Sequence, residues 1–452
     1  MYGMKFLILF LLTFSLQIDG IENKLKYVFN IVRHGARSPW NQVRNFRDSI
    51  GFKWAGDSEL TDRGLRQLFL LGMKMRLRYV NDLQFLSSSF NPDEMEIKST
   101  DTNRTISSAY SYMTGMYPPY TGPTLSPAQS SHAIPPIASP DQPKIINELQ
   151  YAALPHFSEV YPIHIFAKID NYFNLQDPIY CKGVSIIKEN NKDRPFVKKF
   201  QRDFLLKYSK LKNALNYTDD YLYNYDNLKL FCDAVISSYF DKRDLNRLQV
   251  NSTEIYDSCK EIMKIDLFQV SLLSEKDQII NVAMTPPMMK FISYFDTYIS
   301  LENKGIINSL NLPKFTLYAA HDLNIATFLS YFIETLQIKI KPSYIPFAAN
   351  ILIEFHKLDN APIVADSSYY VIHIYYNEEL IYNDTYERFK KAVKKTFISN
   401  SEIDSFCGFE DNSGLYYMIA ICCLACTAFG LGLWILLLLF KNKPVEQPLL
   451  PQ

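Results

Sequence analysis

Three well-separated segments carry the residues that could do chemistry. Arg33-His34-Gly35-Ala36-Arg37-Ser38-Pro39 sets two arginines around a histidine, Ser99-Thr100-Asp101-Thr102-Asn103-Arg104-Thr105 adds a third arginine, and His321-Asp322 places a second histidine beside an acid. Arg33, Arg37 and Arg104 keep their charge and present forked donors, which suit a phosphate dianion better than a carboxylate. Histidine is a nucleophile in its neutral form, which gives His34 that role, and Gly35 lets a ligand come close to the backbone. Asp322 can supply a proton to a leaving alkoxide. Taken singly, an arginine pairs with an acid and a lone histidine sits satisfied in a core; only the set argues for chemistry. The sequence contains no metal-ligand cluster, P-loop or Gly-x-Ser-x-Gly elbow, so the expected chemistry uses neither metal nor cofactor.

The elements that must position these residues are strands. Tyr27–Val32 and Phe315–Ala319 are apolar, β-branched and aromatic runs of the kind buried on both faces of a sheet, and Met95–Lys98 reads as another. Each runs straight into one of the three segments, and in open α/β sheets ligands bind outside the carboxyl ends of the strands. Between them, Thr61 caps a predicted helix to about Tyr79 with Leu65, Leu68, Phe69, Gly72 and Met75 as its buried stripe. Further helices are expected through Ser108–Met116 and near Asn324–Phe332. The alternation predicts an α/β fold with a doubly wound, mostly parallel sheet. Ile351–Phe355 and Tyr369–Tyr376 read as later strands, the second turning at Asn377-Glu378 into a hairpin.

Other stretches break this pattern. Pro118–Pro143 holds eight of the 23 prolines and is expected to be irregular surface chain. From Phe196 to about Ile280 the spacing turns helical. Residues 176–280 are therefore read as an inserted, mainly helical domain, flanked by core parts at 21–175 and 281–414.

The two ends predict the compartment. Phe6–Leu16 is an apolar run behind Lys5, too short to span a bilayer, and reads as the core of a signal peptide over residues 1–20. Leu415–Phe440 is 26 residues without a charge, long enough for a transmembrane helix; Lys441 and Lys443 follow, placing the tail, 441–452, in the cytoplasm. The expected protein is a single-pass type I membrane protein, with its bulk lumenal, in a lysosome-like compartment, or extracellular. Cys422, Cys423 and Cys426 lie in the span, while Cys181, Cys232, Cys259 and Cys407 lie outside it and predict two disulfides with three pairings open. Asn216, Asn251 and Asn383 head glycosylation sequons. Asn103 also heads one, but it neighbours Arg104. Equal numbers of basic and acidic residues, 47 each, argue against a nucleic-acid partner, and 14% aromatic content argues against a disordered chain.

On these motifs the sequence resembles the histidine acid phosphatases, the lysosomal and prostatic acid phosphatases among them, across nearly the whole ectodomain. Arg33–Pro39 matches their Arg-His-Gly-x-Arg-x-Pro signature, Leu60–Gly72 a second block, Ser99–Asp101 with Arg104-Thr105 a third, and His321-Asp322 the distal pair. Pro162-Ile163-His164 and Leu230-Phe231-Cys232 are weaker landmarks. The resemblance implies the histidine phosphatase, phosphoglycerate mutase-like fold and hydrolysis of small phosphomonoesters through a phosphohistidine on His34. It implies Asp322 as proton donor, with Arg33, Arg37, Arg104 and His321 as four cationic holders of the phosphate. It also implies a Cys181–Cys407 disulfide; Cys232 lacks its usual partner near Ala348-Ala349, which leaves Cys259. The chain departs from the family at Leu323-Asn324, where Asn324 is still expected to reach phosphate or substrate, and Pro118–Pro143 looks longer than in relatives. A homodimer is left open. Two other readings are a phosphatase restricted to inositol phosphates or lysophospholipids, and an anchored binding ectodomain without catalysis.

Overall fold

The computed structural model describes residues 23–40, 54, 56–136, 141–165, 173–215, 221–245, 248–307 and 312–409. The expected signal peptide (1–20), membrane span (415–440), tail and Asn216 sequon lie outside the described residues. Among the described residues no helix is long and apolar enough to cross a membrane.

The strands are β1 (Asn23–Arg33), β2 (Met95–Ser99), β3 (His164–Ile165), β4 (Phe315–Ala320), β5 (Asn350–Leu358), β6 (Tyr370–Tyr376) and β7 (Glu379–Thr385). They form one seven-stranded sheet in the order β3-β2-β4-β1-β5-β6-β7. The pairings β1–β4, β2–β4 and β2–β3 are parallel, whereas β1–β5, β5–β6 and β6–β7 are antiparallel. The sheet is therefore mixed, and the expectation of a mostly parallel sheet holds for the half that carries the motifs. In the other half β5 follows helix α11 and runs antiparallel to β1, and β5–β6 and β6–β7 are joined without a crossover helix; at the β6–β7 turn Asn377 and Glu378 take positive φ of 45° and 75°.

In the first compact unit, which runs to Ile398, the helices are α1 (Asp62–Arg76), α2 (Asn103–Met116), α3 (Pro127–His132), α4 (Gln142–Leu149), α5 (Lys182–Lys192), α6 (Pro195–Lys207), α7 (Leu211–Leu215), α8 (Tyr225–Phe240), α9 (Ser252–Ile265), α10 (Gln278–Asn303), α11 (Asp322–Leu336) and α12 (Tyr386–Lys394). The second unit shows α13 (Asn400–Cys407), whose cap residue Ser399 and Glu402 bond each other reciprocally.

Strand β1 shows why both faces are covered. Val28 and Val32 pack with Leu68 of α1 and Tyr112 of α2. On the alternate residues, the Phe29 ring lies 4.8 Å from Phe291 of α10 and 6.2 Å from Phe328 of α11. A period of two on a strand buried on both faces, its one central polar side chain Asn30 bonded to Tyr112 Oη, is what a sheet between two helical layers requires.

Helix α1 starts where the sequence places it, with the Thr61 side chain accepting from the Gly64 amide. Of its expected stripe, Leu68, Gly72 and Met75 are buried but Leu65 is 41% exposed. Gly64 takes its place, because α1 approaches the Gly35 loop more closely than any side chain permits. In the proline-rich stretch the structure shows helices α3 and α4 rather than irregular chain throughout. Ser126 caps α3 reciprocally with Gln129, and Pro127 supplies the fixed φ of a first turn. The described residues between 182 and 271 are mainly helical and carry an apolar cluster of α8 and α9 residues, including Phe231, Val235, Ile255 and Cys259.

Cys181 and Cys407 are each in a disulfide, but Cys232 and Cys259 remain thiols, correcting the expected second bridge. Both thiols are fully buried where α8 meets α9, and burial pushes the Cys232 thiol well up, suppressing the thiolate that thiol–disulfide exchange needs. Of the sequons, Asn383 is exposed on β7. Asn251 is exposed as the cap of α9, where its Oδ1 accepts from Thr253 and Glu254.

Candidate active site

The parallel half of the sheet brings the three motifs together. In register, Arg33 of β1 lies opposite Ala320 of β4, and Ser99 of β2 lies opposite Ala319. The chain stays paired one residue further: the His34 amide donates to the Ala320 carbonyl (3.0 Å) and the Thr100 amide to that of Ala319 (3.1 Å). The loop then turns against α1, where a Cβ on Gly35 would collide with the Gly64 backbone and one on Gly64 with Ala36. The Ala36 amide donates to Gln67 Oε1 (2.8 Å) and the Gly35 amide to Ser108 Oγ (3.2 Å), so α1 and α2 both hold this loop.

His34, Arg37, Arg104, His321 and Asp322 all line one cavity of about 440 Å3. Arg33 is tied to that wall through Asp322, whose Oδ2 lies 2.7 Å from an Arg33 terminal nitrogen. All six expected residues are thus brought to one place. His34 is 2% exposed, and its Nδ1 lies 2.9 Å from the Gly35 carbonyl. A carbonyl only accepts, so Nδ1 carries the proton and Nε2 keeps its lone pair. Burial, reinforced by Arg33, Arg104 and Arg37, holds the imidazole pKa well below its ordinary value, which keeps it neutral and nucleophilic.

The arginines are not equivalent. Arg33 also bonds the Ile345 carbonyl and Tyr344 Oη (3.3 Å) and lies 4.4 Å from the Phe347 ring centre. Arg37 makes a two-point pair with Asp233 of α8, at 2.7 and 3.0 Å. Arg104 has no carboxylate within ion-pair distance among the described residues; it bonds Ser58 Oγ (3.1 Å) and His321 Nδ1 (3.4 Å). Burial, with Arg37 and Arg33 close by, pulls its pKa down to about 10. The Nε atoms of all three arginines are buried with no hydrogen-bond partner.

Two expectations change. His321 is not a fourth cation: burial and Arg104 depress it to about 3. Since Arg104 only donates, His321 Nδ1 accepts, and the Nε2 proton goes to Thr100 Oγ1 at 3.0 Å. Asn324 lines the cavity, but its side-chain amide is already engaged. Its Oδ1 accepts from the His321 amide (3.1 Å), and its Nδ2 donates to Asn174 Oδ1 (2.7 Å) and the Phe173 carbonyl (3.2 Å), so the amide is used in fixing the wall. Burial acts to raise the Asp322 pKa, but Arg33 and Arg37 outweigh it and hold the carboxyl below its usual range. Its side chain is 22% exposed and therefore within reach of a ligand.

Asp233 escaped the sequence reading, because one acid on an amphipathic helix gives no signal of a partner nearly two hundred residues away. Of the histidines set aside, His164 is exposed at the sheet edge. His356 and His373 join Glu354 in a group with metal-ligand spacing. It fits a cation poorly: Glu354 already accepts from Arg78 (2.7 Å), Tyr79 (2.6 Å) and His356 (2.9 Å), and the adjacent guanidinium repels a second positive charge.

Residues 24–377 match the family described as the histidine phosphatase superfamily (branch 2), and the chain belongs to it. It is 26% identical over 211 residues to the prostatic acid phosphatase of Bos taurus, covering 40% of this chain and 54% of that one. It is 35% identical over 121 residues to the lysosomal acid phosphatase of Xenopus laevis, 26% of each chain. These matches span about half or less of the relatives' own length. The fold is similar to that of the phytase from Citrobacter braakii, with a TM-score of 0.53 at 11% identity, over 84% of this chain and 99% of that one.

Proposed function

We propose that the chain is an acid phosphatase that hydrolyses phosphate monoesters through a phosphohistidine on His34. The observation that carries this reading is the 2.9 Å contact of His34 Nδ1 with the Gly35 carbonyl, which assigns the proton to Nδ1 and leaves Nε2 to attack, on the wall that holds Arg37, Arg104 and Asp322. The arginines hold the phosphoryl group and neutralise its charge, which is most of what phosphoryl transfer asks of a protein, while neutral His321 accepts from Arg104 and steadies it. Nε2 attacks phosphorus as the bond to the ester oxygen breaks, and protonated Asp322 gives its proton to that oxygen. Asp322 then takes a proton from water as the water attacks the phosphohistidine and releases phosphate. Arg33 and Arg37 hold the Asp322 pKa below its usual range, so its acid form is scarce near neutrality and grows as the pH falls, which favours turnover in acid.

The test is turnover of an aryl phosphate at acid pH by the purified full-length protein. His34→Ala should lose about 10⁴-fold or more in kcat, and the wild-type protein should trap a phosphoprotein that is labile to acid and stable to base. Undiminished turnover by the variant would overturn the reading.

One observation favours a narrower substrate. The cavity extends from the arginines to Lys188 and Lys229, which share that end with Asp177 and Asp266, and burial still lowers the Lys188 pKa, so a strongly anionic group that outcompetes these acids would meet two lysines there. An inositol phosphate could engage both ends. A kcat/KM for inositol hexakisphosphate no better than for phenyl phosphate speaks against this, and lysophosphatidate serves as the lipid comparison.

For location, the uncharged run 415–440 and the lysines after it support a type I anchor with the catalytic part lumenal or extracellular. Protease protection of an epitope at residue 452 in sealed vesicles tests it.

A further inference from the structure

Asp233 is 8% exposed on the cavity wall, and its carboxylate takes both terminal nitrogens of Arg37. The Trp40 amide is a weaker third donor at 3.4 Å. The other charged or titratable groups that feel it are Arg33 from the end of β1, Arg104 from α2, Tyr344 from the loop after α11, and Cys232 on its own helix. With Asp322 on Arg33 and Asp233 on Arg37, the cradle keeps one uncompensated positive charge, on Arg104. A phosphate dianion would leave the buried site with a net negative charge. The same ligand carrying one proton, its second ionisation lying near about pH 6, would leave it neutral, and burying an unbalanced charge is costly.

We propose that Asp233 is a positioning residue that holds Arg37 in place, and that its negative charge makes the site take its phosphate ligand together with one proton. On the phosphatase reading, that proton is the one Asp322 delivers to the leaving oxygen. The ester therefore brings its own acid equivalent, and Asp233 retains it.

The experiment is calorimetric binding of inorganic phosphate to the full-length protein at pH 7.5, in two buffers of different ionisation enthalpy, which counts the protons taken up. The wild type should take up about one proton per phosphate dianion bound. D233N should take up less than half of that, while D233E, which keeps the charge but moves it, should keep the uptake and bind several-fold more weakly. Equal uptake by wild type and D233N overturns the charge role. Should D233N not fold, D233E decides: affinity equal to wild type overturns the positioning role, and lost uptake overturns the charge role. Wild-type protein that binds phosphate with proton uptake yet hydrolyses no ester would refute the phosphatase reading alone.

Discussion

Two buried networks in this chain combine arginine, histidine and a carboxylate to opposite ends. On the antiparallel half of the sheet, Glu354 of β5 is fully buried and accepts from Arg78, Tyr79 and His356 at 2.6 to 3.0 Å. His356 and Arg78 outweigh the burial that would raise its pKa and hold it at about 2. At the carboxyl ends of the parallel half, among the described residues, Arg33 and Arg37 have one carboxylate each, Arg104 has none, and all three Nε donors lack partners. The first network saturates its acid and serves the fold. The second keeps donors and a charge in reserve beside a cavity, and that surplus makes a binding site.

The comparison breaks most sharply at the two acids. Asp322→Asn should lower kcat on an alkyl phosphate by roughly 10²–10⁴-fold and lower it much less on nitrophenyl phosphate, whose leaving group needs no proton. An equal loss on both esters would remove Asp322 from its role as proton donor. Glu354→Gln should do the reverse, costing about 3–5 kcal/mol of stability in urea with kcat/KM per folded molecule unchanged; a catalytic defect would erase the division between the networks.

A smaller effect concerns pH. His373 is held down to about 4, chiefly by burial and then by His356, against an ordinary 6.5. The unfolded chain therefore binds a proton near 6.5 that the folded chain refuses until about 4. This contribution to stability is full above the higher value and is lost as pH falls through that window. His373→Asn should flatten the fall of melting temperature between pH 6.5 and 4; an unchanged slope would place the acid sensitivity elsewhere, the active-site crevice being the next candidate.

Much of this was legible from local rules. The strands before His34, Thr100 and His321 announce themselves as short β-branched and aromatic runs, and the rule that ligands bind at carboxyl ends gathers the six residues without coordinates. Thr61 and the Asn377-Glu378 turn read correctly because capping and positive φ are properties of a few adjacent residues. The misreadings share one cause. Leu65 yields its buried place to Gly64, Asn324 turns inward to Asn174, and His321 stays neutral beside Arg104, each because of a neighbour distant in sequence. Cys232 and Cys259 meet as expected yet stay reduced, since the environment rather than the spacing controls the thiolate.

By itself, then, the sequence determined which groups carry chemistry and that they converge, because strand propensity and motif order are written in contiguous residues. Only the tertiary structure decided the charge state of the site. Pairing Arg33 with Asp322 and Arg37 with Asp233, and leaving Arg104 alone, depends on which acids α8 and α11 bring within 3 Å of each guanidinium. Electrostatic energy falls off with distance and rises as water is excluded, and both are properties of the folded chain.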